Sequence, residues 1–208
     1  MDSVIETTRR NLPHWRRGGA IYWVCFRLAD ALPQPKLRAW QDARDAWLEM
    51  HPKPWDEGVW DEYNRRFTEQ METWLDRGMG CCALGRPDVR SVVIDCLLRF
   101  EGDRLRLHSA VVMPNHVHAI MEPSSGLQLS SLLKGIKGAS ARAGNRILGT
   151  SGHRFWMDES YDHIVRSPEQ YEHFKKYVID NPTKARLNPS QYWLFEQPDY
   201  SFSLRESC

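Results

Sequence analysis

Two short apolar runs meet at a Pro-Asn pair near the middle of the chain, in the sequence VVMPNHVHAIM over residues 111–121. Both runs are rich in β-branched residues, which predicts two strands, or one strand with a bend, around the break. Successive side chains of a strand point to opposite faces. His116 and His118 are therefore expected on one face of the second run, and Val117 and Ala119 on the other.

The periodicity of apolar residues predicts the remaining elements. Aromatic and β-branched residues predict a strand over residues 20–28, and alternating patterns predict strands over 104–112, 116–121 and 161–166. Apolar residues at helical spacing predict helices over residues 36–50, 56–75, 88–100, 127–148 and 168–180. Residues up to 19 form a polar leader, and the tail over 193–204 is aromatic without a regular pattern.

The last helix has a clear start signal. Ser167 is a suitable N-cap, Pro168 takes the first helical position, and Gln170 is placed to complete a capping box. Because Pro182 disfavours a helical conformation in the residue before it, the helix is expected to end near Asn181.

The order of elements indicates the fold class. Strand, helices, strand, strand, helix, strand and helix follow one another, which is typical of a ferredoxin-like antiparallel sheet in an α+β protein, with helices on one face. Omitting the segment over residues 36–80 leaves this pattern intact. We therefore interpret that segment as a helical insertion and expect a further, C-terminal helix that carries Tyr177.

Composition limits the possible functions. A length of 208 residues fits one domain, or one domain with an insertion, and 41% apolar residues provide a core. The net charge of +1 means that any nucleic-acid site must be a local patch. The five cysteines show no CxxC pair, and the acidic N-terminus shows no signal peptide. We therefore expect a soluble, cytoplasmic protein with reduced thiols and no membrane partner.

Four polar residues form a candidate site. Two imidazoles on one strand face can share a metal ion, and Tyr177 and Asn181, four residues apart, are neighbours on one helix face. Together they would suit a metal-assisted nucleophilic attack on a phosphate. Taken singly, each has a structural explanation: a core histidine, a tyrosine at the core edge, or an asparagine that ends a helix.

Three segments together resemble a known family. Residues 111–118 (VVMPNHVH), 161–166 (YDHIVR) and 177–185 (YVIDNPTKA) resemble the HUH single-tyrosine transposases, and among them the REP-associated tyrosine transposases of the IS200-like family. The resemblance covers the chain from about residue 19 onward and treats residues 1–208 as one HUH transposase-like domain with the insertion at 36–80.

The resemblance implies roles for individual residues. His116 and His118 match the paired metal ligands, and Asn181 matches the third, helix-borne ligand. Tyr177 matches the nucleophile that attacks a single-stranded DNA phosphodiester and leaves a 5′-phosphotyrosine and a free 3′-OH. Imidazole and oxygen ligands suit Mg²⁺ or Mn²⁺. The enzyme would act without ATP, as a monomer or a homodimer.

The implied partner is single-stranded DNA with a hairpin structure, of the REP type. The candidates for phosphate or stacking contacts are Lys134, Lys137, Arg142, Arg154 and Trp156. The low net charge departs from what a DNA-binding enzyme leads one to expect, and the acidic insertion accounts for part of it.

Three other functions compete with this one. The first is a domesticated, non-catalytic binder of structured single-stranded DNA, which a nicking assay would separate from an enzyme. The second is a nucleotide hydrolase with a His-x-His-x-His triad, but Ile120 occupies the third position. The third is a purely structural helical protein, for which the two histidines and the capped tyrosine helix would be a coincidence.

Overall fold

A computed structural model describes residues 6–10, 12–16 and 20–197, and gives only the backbone for the first two ranges. Two strands, β1 (Glu6–Arg10) and β2 (Leu12–Arg16), pair antiparallel in the segment predicted to be a polar leader. A second, five-stranded sheet is built from β3 (Tyr22–Arg27), β4 (Leu105–Val112), β5 (His116–Pro123), β6 (Tyr161–Ile164) and β7 (Trp193–Glu196).

The larger sheet has the order β6-β3-β5-β4-β7, and every pairing in it is antiparallel. Without β7, this is the strand order of the predicted ferredoxin-like fold, which is thereby confirmed. Strand β5 is central, so both of its faces are covered, and all but one of its side chains are buried.

The helices of the described chain follow in order. They are α1 (Gln34–Met50), α2 (Glu57–Tyr63), α3 (Glu69–Asp76), α4 (Pro87–Leu98), α5 (Leu129–Leu148) and α6 (Pro168–Lys184). Helices α4 and α5 pack against each other and against the sheet face that carries Val117 and Ala119. Helix α6 covers the opposite face, where Trp23, Val111 and Ile120 meet Tyr171 and Val178.

The prediction that the last helix ends near Asn181 was wrong. Helix α6 continues through Pro182 to Lys184. Pro182 lies in the last turn, so its missing N–H removes only one helical hydrogen bond. The Ala185 and Leu187 amides still donate to the Asn181 and Pro182 carbonyls, at 3.0 and 2.9 Å.

The predicted start of α6 is confirmed, with one difference. The Ser167 hydroxyl accepts a hydrogen bond from the Gln170 amide at 3.2 Å, and Pro168 takes the first position. The Gln170 side chain, however, accepts from the Arg166 amide rather than from Ser167.

The insertion folds back onto the sheet. Helices α2 and α3 are joined without a break by a π-helical turn over Asn64–Thr68. Trp40, Trp47 and Phe67 join the same buried apolar cluster as the sheet residues Tyr22 and Val24. The insertion thus buries its apolar side chains against the sheet domain.

The aromatic tail was predicted to be irregular, but Trp193–Glu196 forms an edge strand against β4. Its four residues are too few to show an alternating pattern, whereas the exposed edge of β4 supplies the pairing partner. Residues 198–204 of that tail lie outside the described residues. In the part of the chain that is described, no helix has the length and hydropathy needed to cross a membrane.

Candidate active site

Strand β5 presents His116 and His118 on the sheet face that α6 covers. Their neighbours on β3 are Arg27 and Cys25, so the two histidines lie in the middle of the sheet. The His116 and His118 side chains are 1% and 0% exposed, and their ring centroids are 4.7 Å apart. Such complete burial of two adjacent imidazoles is costly unless they are paired or bind an ion.

Helix α6 brings the other two predicted residues to the histidines. The Tyr177 ring meets the His118 ring edge to face at 5.2 Å between centroids. Asn181 lies one turn later, is fully buried, and lies beside His116. Trp23 of β3 stacks on His118 at 5.5 Å and fixes its ring from the other side. All four predicted site residues are therefore neighbours in space, although their roles stay predictions.

The polar atoms of this cluster are free to bind an ion. The Nε2 atom of His116, both ring nitrogens of His118 and both side-chain polar atoms of Asn181 are buried without a hydrogen-bond partner. In the described chain no three His, Cys, Asp or Glu residues form a group that could hold a metal. Two imidazoles and an amide oxygen remain, and they fit a divalent ion such as Mg²⁺ or Mn²⁺.

The electrostatics favour neutral imidazoles. Burial and the Arg27 guanidinium lower the pKa of His116 to about 3, although Asn181 opposes the shift. Burial and His116 lower the pKa of His118 well below its ordinary value. Because a metal ligand must be the neutral imidazole, both rings hold a ready lone pair at neutral pH.

Asn115 positions His116, a role that the sequence analysis missed. The Asn115 amide nitrogen donates to the Leu75 and Met79 carbonyls, at 3.1 and 3.2 Å. Its oxygen is then left to accept a hydrogen bond from Nδ1 of His116, at 2.7 Å. This bond directs the lone pair of His116 to Nε2, on the side of the predicted ion. The sequence signal for this role was the position of Asn115 directly before His116, between two strands.

The insertion contributes two carboxyl groups beside the tyrosine, which the sequence analysis also missed. Glu72 of α3 lies next to the Tyr177 hydroxyl, although the Glu72 carboxyl oxygen and the Tyr177 hydroxyl oxygen do not meet in ideal hydrogen-bond geometry. Burial raises the pKa of Glu72 to about 8, and burial raises that of Asp76 to about 6. Burial and these carboxyls also raise the pKa of Tyr177. The Lys184 ammonium lies over the Tyr177 ring, at 4.8 Å from its centroid.

A cleft of about 740 Å³ leads from the surface to Tyr177. It is lined by residues of α2 and α3, by residues of α6, and by Trp23, Tyr161 and His163. We call it the insertion cleft. It lies beside the tyrosine and opens to solvent, so a ligand can reach the site through it.

The predicted DNA contacts are not brought together with this site. Lys137 donates hydrogen bonds to Met157, Asp158 and Ser160, and Arg154 is exposed and pairs with Asp158 at 3.2 Å. Lys134 and Arg142 are exposed on α5, which packs on the other sheet face.

Trp156 is not a surface stacking platform. It is buried in the core, where its Nε1 donates to the Ser140 hydroxyl at 3.0 Å and its ring packs edge to face on Phe26. Its contacts with α5 and β3 account for its burial, so the expectation of a DNA contact is not supported at this position.

Comparison with known proteins shows what part of the chain is similar to. Residues 96–181 match the family model described as "Transposase IS200 like", and this segment includes all four predicted site residues. The match confirms the resemblance that the three sequence motifs indicated. No curated protein matches the chain.

Two solved structures are similar to the chain. One is a REP-associated tyrosine transposase bound to a REP hairpin, 17% identical, with a TM-score of 0.44 over 95% of this chain and 100% of that chain. The other is a candidate transposase from Deinococcus radiodurans R1, 13% identical, with a TM-score of 0.33 over 77% of this chain and 89% of that chain.

Proposed function

We propose that this protein nicks and joins single-stranded DNA through a covalent link to Tyr177, with the help of a divalent ion. The observation that carries the proposal is the cluster on the α6 face of the sheet. A helix-borne phenol lies 5.2 Å, ring to ring, from a fully buried imidazole whose two nitrogens have no partner. A structural histidine and a structural tyrosine would each have satisfied its polar atoms.

The proposed reaction exchanges one phosphate ester for another. The Tyr177 oxygen forms a bond to phosphorus, and the bond from phosphorus to the 3′ oxygen breaks. The products are a 5′-phosphotyrosine and a free 3′-OH, and attack by a 3′-OH on the phosphotyrosine restores a diester. Because each step conserves the number of ester bonds, joining needs no ATP.

Residues of this chain would hold the ion and the phosphate. His116, His118 and Asn181 would bind Mg²⁺ or Mn²⁺, which supplies charge stabilisation to the phosphate when bound. Asn115 keeps His116 in the tautomer that binds. The buried Arg27 guanidinium neighbours His116 on the adjacent strand and adds positive charge to the same region. The phenol must lose its proton, and the adjacent Glu72 carboxyl can accept it when ionised, which a pKa of about 8 allows at mildly alkaline pH.

We propose hairpin-associated, REP-like DNA as the substrate. The support is the set of sequence motifs around the histidine pair and the tyrosine helix, together with the match of residues 96–181 to the IS200-like family. Any palindromic repeats found beside the gene would supply the oligonucleotides for a test.

The test is covalent capture of labelled hairpin oligonucleotides that carry single-stranded flanks. The wild type should form an adduct that resists SDS, and Tyr177→Phe should abolish it, because only the phenolic oxygen is removed. Tyr161→Phe is a matched control, since Tyr161 lines the same cleft and bonds Asn64 at 3.3 Å. It should retain the adduct.

The alternative is a non-catalytic binder of structured single-stranded DNA. Hairpin binding without any adduct, in the wild type and with Mn²⁺ present, would favour that alternative and reject the enzyme. An adduct that survives in Tyr177→Phe would move the chemistry to another tyrosine, such as Tyr161 or Tyr171.

A further inference from the structure

The insertion cleft has walls that the proposed reaction does not use. Its lining outside the catalytic cluster is rich in aromatic rings: Trp55 and Trp60 from α2 and the turn before it, Tyr161 and His163 from β6, and Phe174 from α6. The volume of about 740 Å³ lies within the range of small-ligand pockets, roughly 300–1,000 Å³.

Two of these rings pack against neighbouring rings and also border the cleft. Trp60 meets His163 edge to face at 5.6 Å, and Phe174 stacks on Trp23 at 4.9 Å. Trp60 and Phe174 are only partly buried, so each retains accessible ring surface. Aromatic faces of this kind are the surfaces on which unpaired bases stack, with little dependence on sequence.

Polar atoms in the cleft match the edge of a base. The Trp23 side chain is 2% exposed, and its Nε1 donor has no partner. One buried acceptor also lacks a partner, an oxygen of Asp76, whereas Glu72 lies against the Tyr177 hydroxyl. A nucleobase edge offers donors and acceptors together.

The charges of the cleft disfavour a phosphate in the same place. Four acidic residues and four basic or imidazole residues line it: Asp61, Glu69, Glu72, Asp76, His163, Arg166, His173 and Lys184. A phosphate offers only acceptors and negative charge, so the acidic side chains of the cleft other than the largely protonated Glu72 repel it. Sugar-phosphate would therefore run along the Lys184 side, and a base would fill the aromatic part.

We propose that the insertion cleft binds one unpaired nucleobase of single-stranded DNA, next to the phosphate that Tyr177 attacks. This inference rests on the proposed function, because it assigns to the insertion the role of holding the strand at the nick. Stacking on Trp60 and Phe174 supplies affinity, while Trp23 and Asp76 contact the base edge.

The experiment uses the full chain with Tyr177→Phe, so that no cleavage occurs, and two labelled probes. One probe is a dT 12-mer, and the other is a 12-mer of abasic deoxyribose phosphate. The dT probe should bind at least about fivefold more tightly, and Trp60→Ala should remove that difference, because stacking of one base contributes ~1–3 kcal/mol. Trp60→Phe should preserve most of the difference.

Trp193→Ala is the matched control, because Trp193 is a partly buried tryptophan on β7, at the sheet edge opposite β6. It should leave the ratio of the two affinities unchanged. A 5-iodouracil in the dT probe tests the unmutated cleft. Its photocrosslink should map to Trp60 or Phe174, and a crosslink confined to residues outside the cleft would overturn the proposal.

The outcomes separate this inference from the proposed function. If the wild type forms the Tyr177 adduct but binds dT and abasic probes equally, the base site is wrong and the nicking function stands. If the preference for dT depends on Trp60 but no hairpin yields an adduct, the base site stands and the nicking function fails.

Discussion

The two faces of the larger sheet differ in how completely their buried polar side chains are hydrogen-bonded. On the α4 and α5 face, polar side chains have partners: Ser140 accepts from Trp156 at 3.0 Å, and Asn145 donates to the His153 carbonyl at 2.7 Å. In the described chain, no side chain of α4 or α5 has a buried polar atom without a partner. On the α6 face, His116, His118, Tyr177 and Asn181 all have such atoms.

The difference indicates where the fold is optimised for stability and where it is not. A buried polar atom without a hydrogen bond costs about 1–3 kcal/mol. Among the described residues, buried polar atoms without partners occur several times on the α6 face and not on α4 or α5. We therefore expect the residues that carry them on the α6 face to be kept for function. We expect substitutions on the α6 face to affect function more than stability, and substitutions on the other face to do the reverse.

His118→Ala should have the largest effect. It should abolish DNA cleavage while leaving DNA binding nearly unchanged, because one of the two proposed imidazole ligands is lost. Excess EDTA should do the same to the wild type. A readout without DNA is the rise in melting temperature on adding MnCl₂, which should occur in the wild type and vanish in the variant.

His108→Ala is the control for that substitution. His108 is equally buried, but it lies between Tyr171 and Glu122, at 3.4 and 3.7 Å. Its loss should lower the melting temperature and leave the response to MnCl₂ intact. Undiminished cleavage by the wild type in excess chelator would contradict the metal-assisted mechanism.

Gly144→Ala should have the next largest effect, on stability alone. A Cβ atom at position 144 would lie 2.7 Å from the Phe155 ring, which is closer than van der Waals contact. Overpacking of this kind costs ~1–3 kcal/mol, more than the gain of up to ~1 kcal/mol from helix propensity. Gly135→Ala on the same helix meets nothing within 4 Å and should be stabilising. Thermal unfolding measures both, and equal shifts would contradict the close approach.

Local sequence patterns predicted the helices and strands, whereas the packing of segments distant in sequence decided which surfaces meet. The alternation around His116 and His118 and the caps of α6 are encoded within a few residues, so the histidine face and the tyrosine helix could be predicted. The position of α3 over Tyr177 could not be predicted, because the helical spacing of Glu72 and Asp76 does not indicate which surface of the protein they contact. The burial of Trp156 and the pairing of β7 likewise depend on partners far away in sequence.

Asn181→Ala tests whether the amide is a ligand or only part of the helix. As a ligand, its loss should raise the Mn²⁺ concentration needed for cleavage severalfold, while the melting temperature hardly changes. As a structural residue, its loss should lower the melting temperature and leave the Mn²⁺ titration unchanged. The structure gives a reason to expect the first result, since neither polar atom of the fully buried side chain has a partner.

Glu72→Gln should have the smallest effect, visible as a change in the pH dependence of stability. The pKa of Glu72 is raised to about 8 in the folded chain from an ordinary value of 4.5. Between these values the folded state keeps a proton that the unfolded state has lost, so wild-type stability falls as the pH rises. Glutamine at position 72 stays neutral, so the variant does not lose this stability as the pH rises. The variant should therefore melt near the wild-type temperature at pH 5 and several degrees above it at pH 8.

Two features sharpen this last measurement. Asp76 also has a raised pKa, of about 6, so its own loss of stability is nearly complete by pH 7 and is common to both proteins. Glu69→Gln is the matched control, because Glu69 is on the same helix but exposed, and its melting temperature should follow the wild type at both values of pH. If Glu72→Gln gives the same shift at pH 5 and pH 8, the Glu72 carboxyl is hydrated rather than buried against Tyr177. The insertion would then stand further from the tyrosine, and Glu72 could not accept its proton.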